Sequence, residues 1–163
     1  MTFEEALTIS VEINGNEVEQ TVPSSMLLST FLRDKQNLTG VHRGCESVKC
    51  GACTVEMDGE VVKSCNLLAV QADNREITTI EGVGSRTELH PIQESFWKNN
   101  GMQCGFCTPG FVMTSRQLLN ETESGELTQE EIAKEISGHI CRCTGYTKII
   151  ESIEDAAATM EDD

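Results

Sequence analysis

Eight cysteines constrain this 163-residue chain more than any other feature. They stand at Cys45, Cys50, Cys53 and Cys65 in one half, and at Cys104, Cys107, Cys141 and Cys143 in the other. A secreted chain could close four disulfides with them. The start Met1-Thr-Phe-Glu-Glu-Ala, however, lacks the basic residues and apolar stretch of an export signal. The expectation is a cytoplasmic chain, where a reducing environment keeps thiols free and clustered thiols bind metal.

The two groups differ in spacing. Cys45-x4-Cys50-x2-Cys53, with Cys65 further on, has the spacing of a plant-type [2Fe–2S] loop. Gly44, Gly51 and Ala52 let backbone pass close to sulfur and free amides to donate hydrogen bonds to it. Structural zinc sites tend to pair two short Cys-x2-4-Cys knuckles, which fits this group poorly. Cys104-x2-Cys107 with Cys141-x-Cys143 is less specific, and zinc stays open there on spacing alone. Cys107 and Cys143 both precede a predicted helix, whose positive dipole end is expected to stabilise a thiolate.

Around the first group the chain reads as a small β-rich domain. Residues 8–13 alternate apolar and polar, Asn14-Gly15 is a hairpin turn, and residues 17–22 continue as the partner strand. Pro23-Ser24-Ser25 is expected to stop the sheet and cap a helix carrying Leu27, Leu28, Phe31 and Leu32. A second hairpin turns at Asp58-Gly59, and residues 76–80 form a last strand. A mostly antiparallel sheet with one helix across it accounts for this order. Residues 82–88, rich in Gly and polar side chains, read as a linker.

The remainder reads as four short helices able to form a bundle. Pro91 opens the first, and residues 109–120 make the second. Thr128 with Glu131 is a capping box for the third. The fourth carries Tyr146, Ile149, Ile150, Ile153, Ala156 and Ala157 on one stripe, ending in the tail Glu161-Asp162-Asp163. Cys107-Thr108-Pro109-Gly110-Phe111 and Cys143-Thr144-Gly145-Tyr146 repeat a Cys-Thr and aromatic pattern. If the echo is structural, both cysteine pairs meet at one spot. The predicted domains are thus 1–81, a linker 82–88, and 89–163.

Charge narrows the function. Twenty-seven acids against 12 Lys and Arg give a net charge of −15, spread evenly along the chain. With no basic patch, binding to nucleic acid is excluded as a working idea. No apolar run reaches the roughly 20 residues of a membrane-spanning helix. No phosphate loop, nucleophile elbow or carboxylate pair is present. Trp97 and Phe96 read as core or interface packing, and His42 and His90 carry no assigned chemistry.

The cysteine motifs also carry a resemblance. Gly44-Cys45, Cys50-Gly51-Ala52-Cys53-Thr54-Val55, Gln103-Cys104-Gly105-Phe106-Cys107-Thr108-Pro109-Gly110 and Cys141-Arg142-Cys143-Thr144-Gly145-Tyr146 are similar to signatures of the molybdenum hydroxylases, the xanthine dehydrogenase family. The resemblance is to their small iron–sulfur subunit. Residues 62–72 and 77–82 most resemble the carbon monoxide dehydrogenase type.

The resemblance implies an α+β chain: an N-terminal β-grasp, plant-type ferredoxin-like domain followed by a C-terminal four-helix bundle. It implies two [2Fe–2S] clusters, the one on Cys45, Cys50, Cys53 and Cys65 nearer a flavin. The other, on Cys104, Cys107, Cys141 and Cys143, lies nearer a molybdopterin cofactor that Gln103 and Cys143 touch. It further implies a large molybdopterin-binding subunit and an FAD-binding medium subunit as partners. The chain itself would carry electrons and no substrate site. Where the family usually has Asn, this chain has His139, for which a turn or supporting role is expected rather than ligation. A free-standing two-cluster carrier and a zinc interaction module are the rival readings.

Overall fold

The computed structural model describes residues 5–85, 87–122 and 127–161. Arg86 of the predicted linker, and Asp162 and Asp163 of the predicted tail, lie outside them.

The first half builds a five-stranded sheet, in the order β2-β1-β5-β3-β4. Strands β1 (Ala6–Ile13) and β2 (Asn16–Pro23) form the first hairpin. Its turn, Asn14-Gly15, has positive φ at both residues, 50° and 76°, the conformation these residue types adopt most easily. β3 (Thr54–Met57) and β4 (Glu60–Lys63) form the second, turning at Asp58-Gly59 in the same way. β5 (Glu76–Thr78) joins the hairpins, antiparallel to β3 and parallel to β1. The parallel pair was not readable from alternation, which reports burial and not strand direction.

Across this sheet lies α1 (Leu28–Thr30), continued by a wider π-turn over Phe31–Lys35. Leu28, Phe31 and Leu32 are fully buried against Ile9, Val11, Val55 and Ile77. The expected serine cap is corrected: Pro23 ends β2, and the capping position falls on Leu27, whose side chain offers no hydrogen bond.

Four helices follow: α2 (Pro91–Lys98), α3 (Thr108–Glu121), α4 (Gln129–Glu135) and α5 (Thr147–Glu161). Thr128 and Glu131 cap α4 as the sequence predicts. His90 caps α2, its Nδ1 accepting from the Ile92 amide at 3.3 Å while Gln93 reciprocates. Ile92, Phe96, Phe111, Val112, Ile132, Ile149, Ile153 and Ala156 make a second core, separate from the first. Ile80 and Val83 pack against it, so the chain engages the helical half before the predicted linker ends.

Helix α3 also docks on the β3–β4 hairpin. Arg116 pairs with Glu56, and Gln117 accepts from the Val61 amide at 2.8 Å. At the start of α3, a Cβ on Gly110 would collide with the Gly51 carbonyl, so only glycine fits that approach. This docking brings the loop around Cys50 against the loops around Cys107 and Cys141.

Candidate metal centres

The first four cysteines are gathered by one loop and one turn. Residues 45–53 run between the α1 segment and β3, while Cys65 lies in a short turn, Ser64–Asn66, directly after β4. The hairpin brings the two together: Cys53 O accepts from Ser64 Oγ at 2.7 Å and from its amide at 3.3 Å. Positive φ at Glu46, Val48 and Gly51 winds the loop so that amides turn inward. Ser47 and Cys50 amides donate to Cys45 Sγ, each at 3.4 Å. Those donors, with the Ser47 hydroxyl the strongest, lower the Cys45 pKa to about 6. Burial instead pushes Cys53 up to about 11, with Cys65 and Cys50 adding to the rise.

The second four come from two separate turns. Cys107 is the N-cap of α3, and positive φ at Gly105 turns the preceding loop. Cys104 and Cys143 stand 3.5 Å apart, sulfur to sulfur. Thr144 presents its hydroxyl and amide to Cys141 Sγ at 3.2 and 3.5 Å. Burial raises Cys141, but the donors from Thr144 and Cys143 outweigh it and its pKa falls. Cys107 is pushed up to about 12 by burial, then by Cys141. The sequence echo is structural, since Phe111 and Tyr146 meet edge-to-face at 6.2 Å. The dipole expectation is corrected. Cys107 caps a helix yet is raised, by burial and then by Cys141, and Cys143 lies four residues before α5 and is raised by Cys104.

Each thiol that perturbs another belongs to the same quartet. A buried thiol that resists ionisation, beside one held ionised by amides, suits a centre whose metal cations neutralise several sulfurs together. Glycine at 44 keeps that space open, because a Cβ there would sit 3.0 Å from Cys50 Sγ. The donor chemistry and the amide-lined cradle therefore fit an iron–sulfur group at both places. None of the eight cysteines forms a disulfide.

The quartets are locked together by contacts that spacing could not reveal. Ile140 N donates to Cys50 O at 3.0 Å, linking the residue before Cys141 directly to a first-quartet cysteine. His42 stacks on Phe106 at 4.7 Å, and its Nδ1 lies 2.7 Å from Phe106 O. His139, only 3% exposed, fills the junction against Gly51, Thr54 and Thr114. Burial, then the Lys63 charge, lowers its pKa to about 3 and keeps it neutral. Lys63, Phe106, His42 and His139 all stand in or beside a cysteine motif, but nothing in the sequence pairs Lys63 with His139 or His42 with Phe106.

Gln103, Cys104 and Cys143 are all exposed on one side of the helical half. Beside them opens an apolar groove of about 380 Å³ lined by Leu89, Phe96, Trp97, Met102, Pro109 and Val112. Phe96 is core, as expected, but Trp97 is 71% exposed and packs no core.

Comparison with known proteins matches this geometry. Residues 11–79 match the 2Fe-2S iron-sulfur cluster binding domain, and residues 79–154 match a second family, the [2Fe-2S] binding domain. The chain is 45% identical to caffeine dehydrogenase subunit gamma of Pseudomonas sp. (strain CBB1), over 94% of this chain and 92% of that one. It is 38% identical to the xanthine dehydrogenase iron-sulfur-binding subunit of Escherichia coli O157:H7, covering 98% and 99%. The crystal structure of quinoline 2-oxidoreductase from Pseudomonas putida 86 superposes with a TM-score of 0.90 at 38% identity, covering 96% of this chain and 97% of that one. None of these names is of the carbon monoxide type. The chain belongs to the iron–sulfur subunits of the xanthine dehydrogenase family of molybdenum hydroxylases.

Proposed function

We propose that this chain is the electron conduit of a multi-subunit molybdenum-dependent oxidoreductase, with substrate chemistry on another polypeptide. Cys45, Cys50, Cys53 and Cys65 hold one [2Fe–2S] cluster, and Cys104, Cys107, Cys141 and Cys143 the other. When bound, the clusters supply one-electron carriers between a molybdenum site and a flavin. The residues of this chain position them: amides of the 45–53 loop stabilise sulfur charge, and the His139 junction fixes one loop against the other.

The observation that carries the reading is the segregation of eight thiols into two mutually interacting quartets joined through Ile140 and Cys50. The division into 1–81, a linker 82–88 and 89–163 belongs to the same reading and is supported by two separate cores.

Partners follow from the surface. A large molybdopterin-binding subunit docks on the groove around Trp97 and Met102, placing Gln103 and Cys143 against the pterin. Exposed apolar surface beside exposed cysteines supports this, since an isolated carrier has no use for such a patch. An FAD-binding medium subunit meets the opposite, ferredoxin-like half. A cytoplasmic location keeps all eight thiols reduced before cluster loading. No helix among the described residues is long and apolar enough to cross a membrane.

Co-purification from the native host tests the reading. A stable complex containing molybdopterin and FAD chains is expected. Elution as a lone chain with full iron content contradicts it and favours a free-standing carrier.

A further inference from the structure

We propose that Lys63 sets the electron affinity of the first thiol site, and that Thr54 and His139 hold it in place to do so. The inference rests on the two-cluster reading above.

Lys63 ends β4, two residues before Cys65. Its Nζ donates to Thr54 Oγ1 at 3.0 Å and lies 3.3 Å from His139 Nε2. The Thr54 hydroxyl proton is already committed to Gly51 O at 2.7 Å, so its oxygen faces the ammonium as an acceptor. Thr54 and His139 are both buried, so these anchors do not wander. Among the described residues, Lys63 forms no ion pair with a carboxylate. Its positive charge is therefore held by neutral groups and is not cancelled locally. Burial lowers the Lys63 pKa, and the sulfurs that oppose it, favouring the charged form, are Cys53, Cys50, Cys65 and Cys45, the whole of the first quartet.

A cation so placed has one direction of effect. Reduction adds one negative charge to a thiolate-bound centre, and a fixed positive charge nearby favours that reduced form. The half-buried setting weakens solvent screening and strengthens the effect. Arg142, beside the second quartet, is exposed, and its influence is screened. Lys63 therefore favours the electron's residence on the first site over the second. In that transfer one electron leaves the second site and arrives at the first, with no bond made or broken and no proton moved. The same charge gives the conduit its polarity, from the helical half towards the sheet half.

The test is an EPR-monitored redox titration of the full chain, in the assembly in which it purifies, for Lys63→Met and Lys63→Arg. Lys63→Met is expected to shift the electron distribution about tenfold towards the second site, equivalent to about 59 mV for one electron. Lys63→Arg keeps the charge and is expected to stay near the unsubstituted distribution. His139→Leu, which removes one anchor, shifts it the same way as Lys63→Met but by less. An unmoved first midpoint in Lys63→Met, or equal displacement of both midpoints, overturns the proposal. If Lys63→Met loses the first signal, Lys63→Gln takes its place. An unmoved midpoint or a lost signal there overturns the proposal too, assigning Lys63 a purely structural role. Absence of either signal in the unsubstituted protein counts instead against the two-cluster reading.

Discussion

The two thiol sites are built in opposite ways. The first is made by nearly continuous chain, nine residues of loop and a hairpin return, with Cys53 and Cys65 sunk in the sheet core. The second is assembled from turns more than thirty residues apart, ahead of two different helices, with Cys104 and Cys143 left at the surface. A continuous loop can tune its sulfurs with its own amides, as Ser47 and Cys50 do for Cys45. A discontinuous site depends on tertiary packing, here the Phe111–Tyr146 contact and the α2–α5 bundle. Both sites leave cysteine at the surface, Cys45 in the first and Cys104 and Cys143 in the second, so what separates them is how they are held: one by its own loop and hairpin, the other by packing between helices.

Breaking one site while sparing the other is the sharpest challenge to that comparison. Cys50→Ser is expected to remove the first EPR signal and about half the iron, leaving the second signal in place. Loss of both signals in a chain that keeps its helical circular dichroism would mean that the sites are not independent.

The seam between the sites comes next in expected size. Gly110→Ala puts a methyl group against the Gly51 carbonyl. Helix propensity alone would make Ala better there by about 1 kcal/mol. The clash is expected to reverse the sign, with a net loss of about 1–3 kcal/mol in chemical denaturation. A stabilised variant would show that the two halves do not touch as described.

Trp97→Ser probes the second site's open face. Stability is expected to change by less than about 0.5 kcal/mol and iron content not at all, since the indole is exposed. Binding to the large partner, measured by retention in the co-purified complex, is expected to weaken. Undiminished retention would move the docking face elsewhere.

The smallest effect concerns pH and the helical half alone. Burial, then Arg116, lowers the His90 pKa below the ordinary histidine value, which matches its role as a neutral acceptor capping α2. With the folded value depressed, the unfolded chain takes up a proton first as pH falls below about 6.5. The cap's contribution, about 1 kcal/mol or less, is present above that pH and lost below it. Amide exchange in α2 is expected to quicken from pH 7 to pH 5, and His90→Asn to flatten that change. An equal change in both proteins would remove His90 as the cause.

How much of this could be read in the sequence follows the same division. Both hairpins were legible because Asn14-Gly15 and Asp58-Gly59 set their turns locally, and the first quartet because its spacing is local. The amphipathic stripe of α5 was legible for the same reason. The junction was not, because Lys63 meets His139 across 76 residues and His42 meets Phe106 across 64. No periodicity marks a partner so far away. The raised pKa of Cys107 was not legible because sequence shows the cap but not the burial around it. Trp97 read as core or interface packing, and its exposure leaves only the interface: an aromatic residue on an amphipathic helix carries no sign of which neighbour covers it.

The most direct test of the account is metal analysis of anaerobically purified native protein. The account predicts about four iron and four acid-labile sulfide per chain, a brown chromophore and no stoichiometric zinc. Colourless protein holding zinc at either quartet would contradict it.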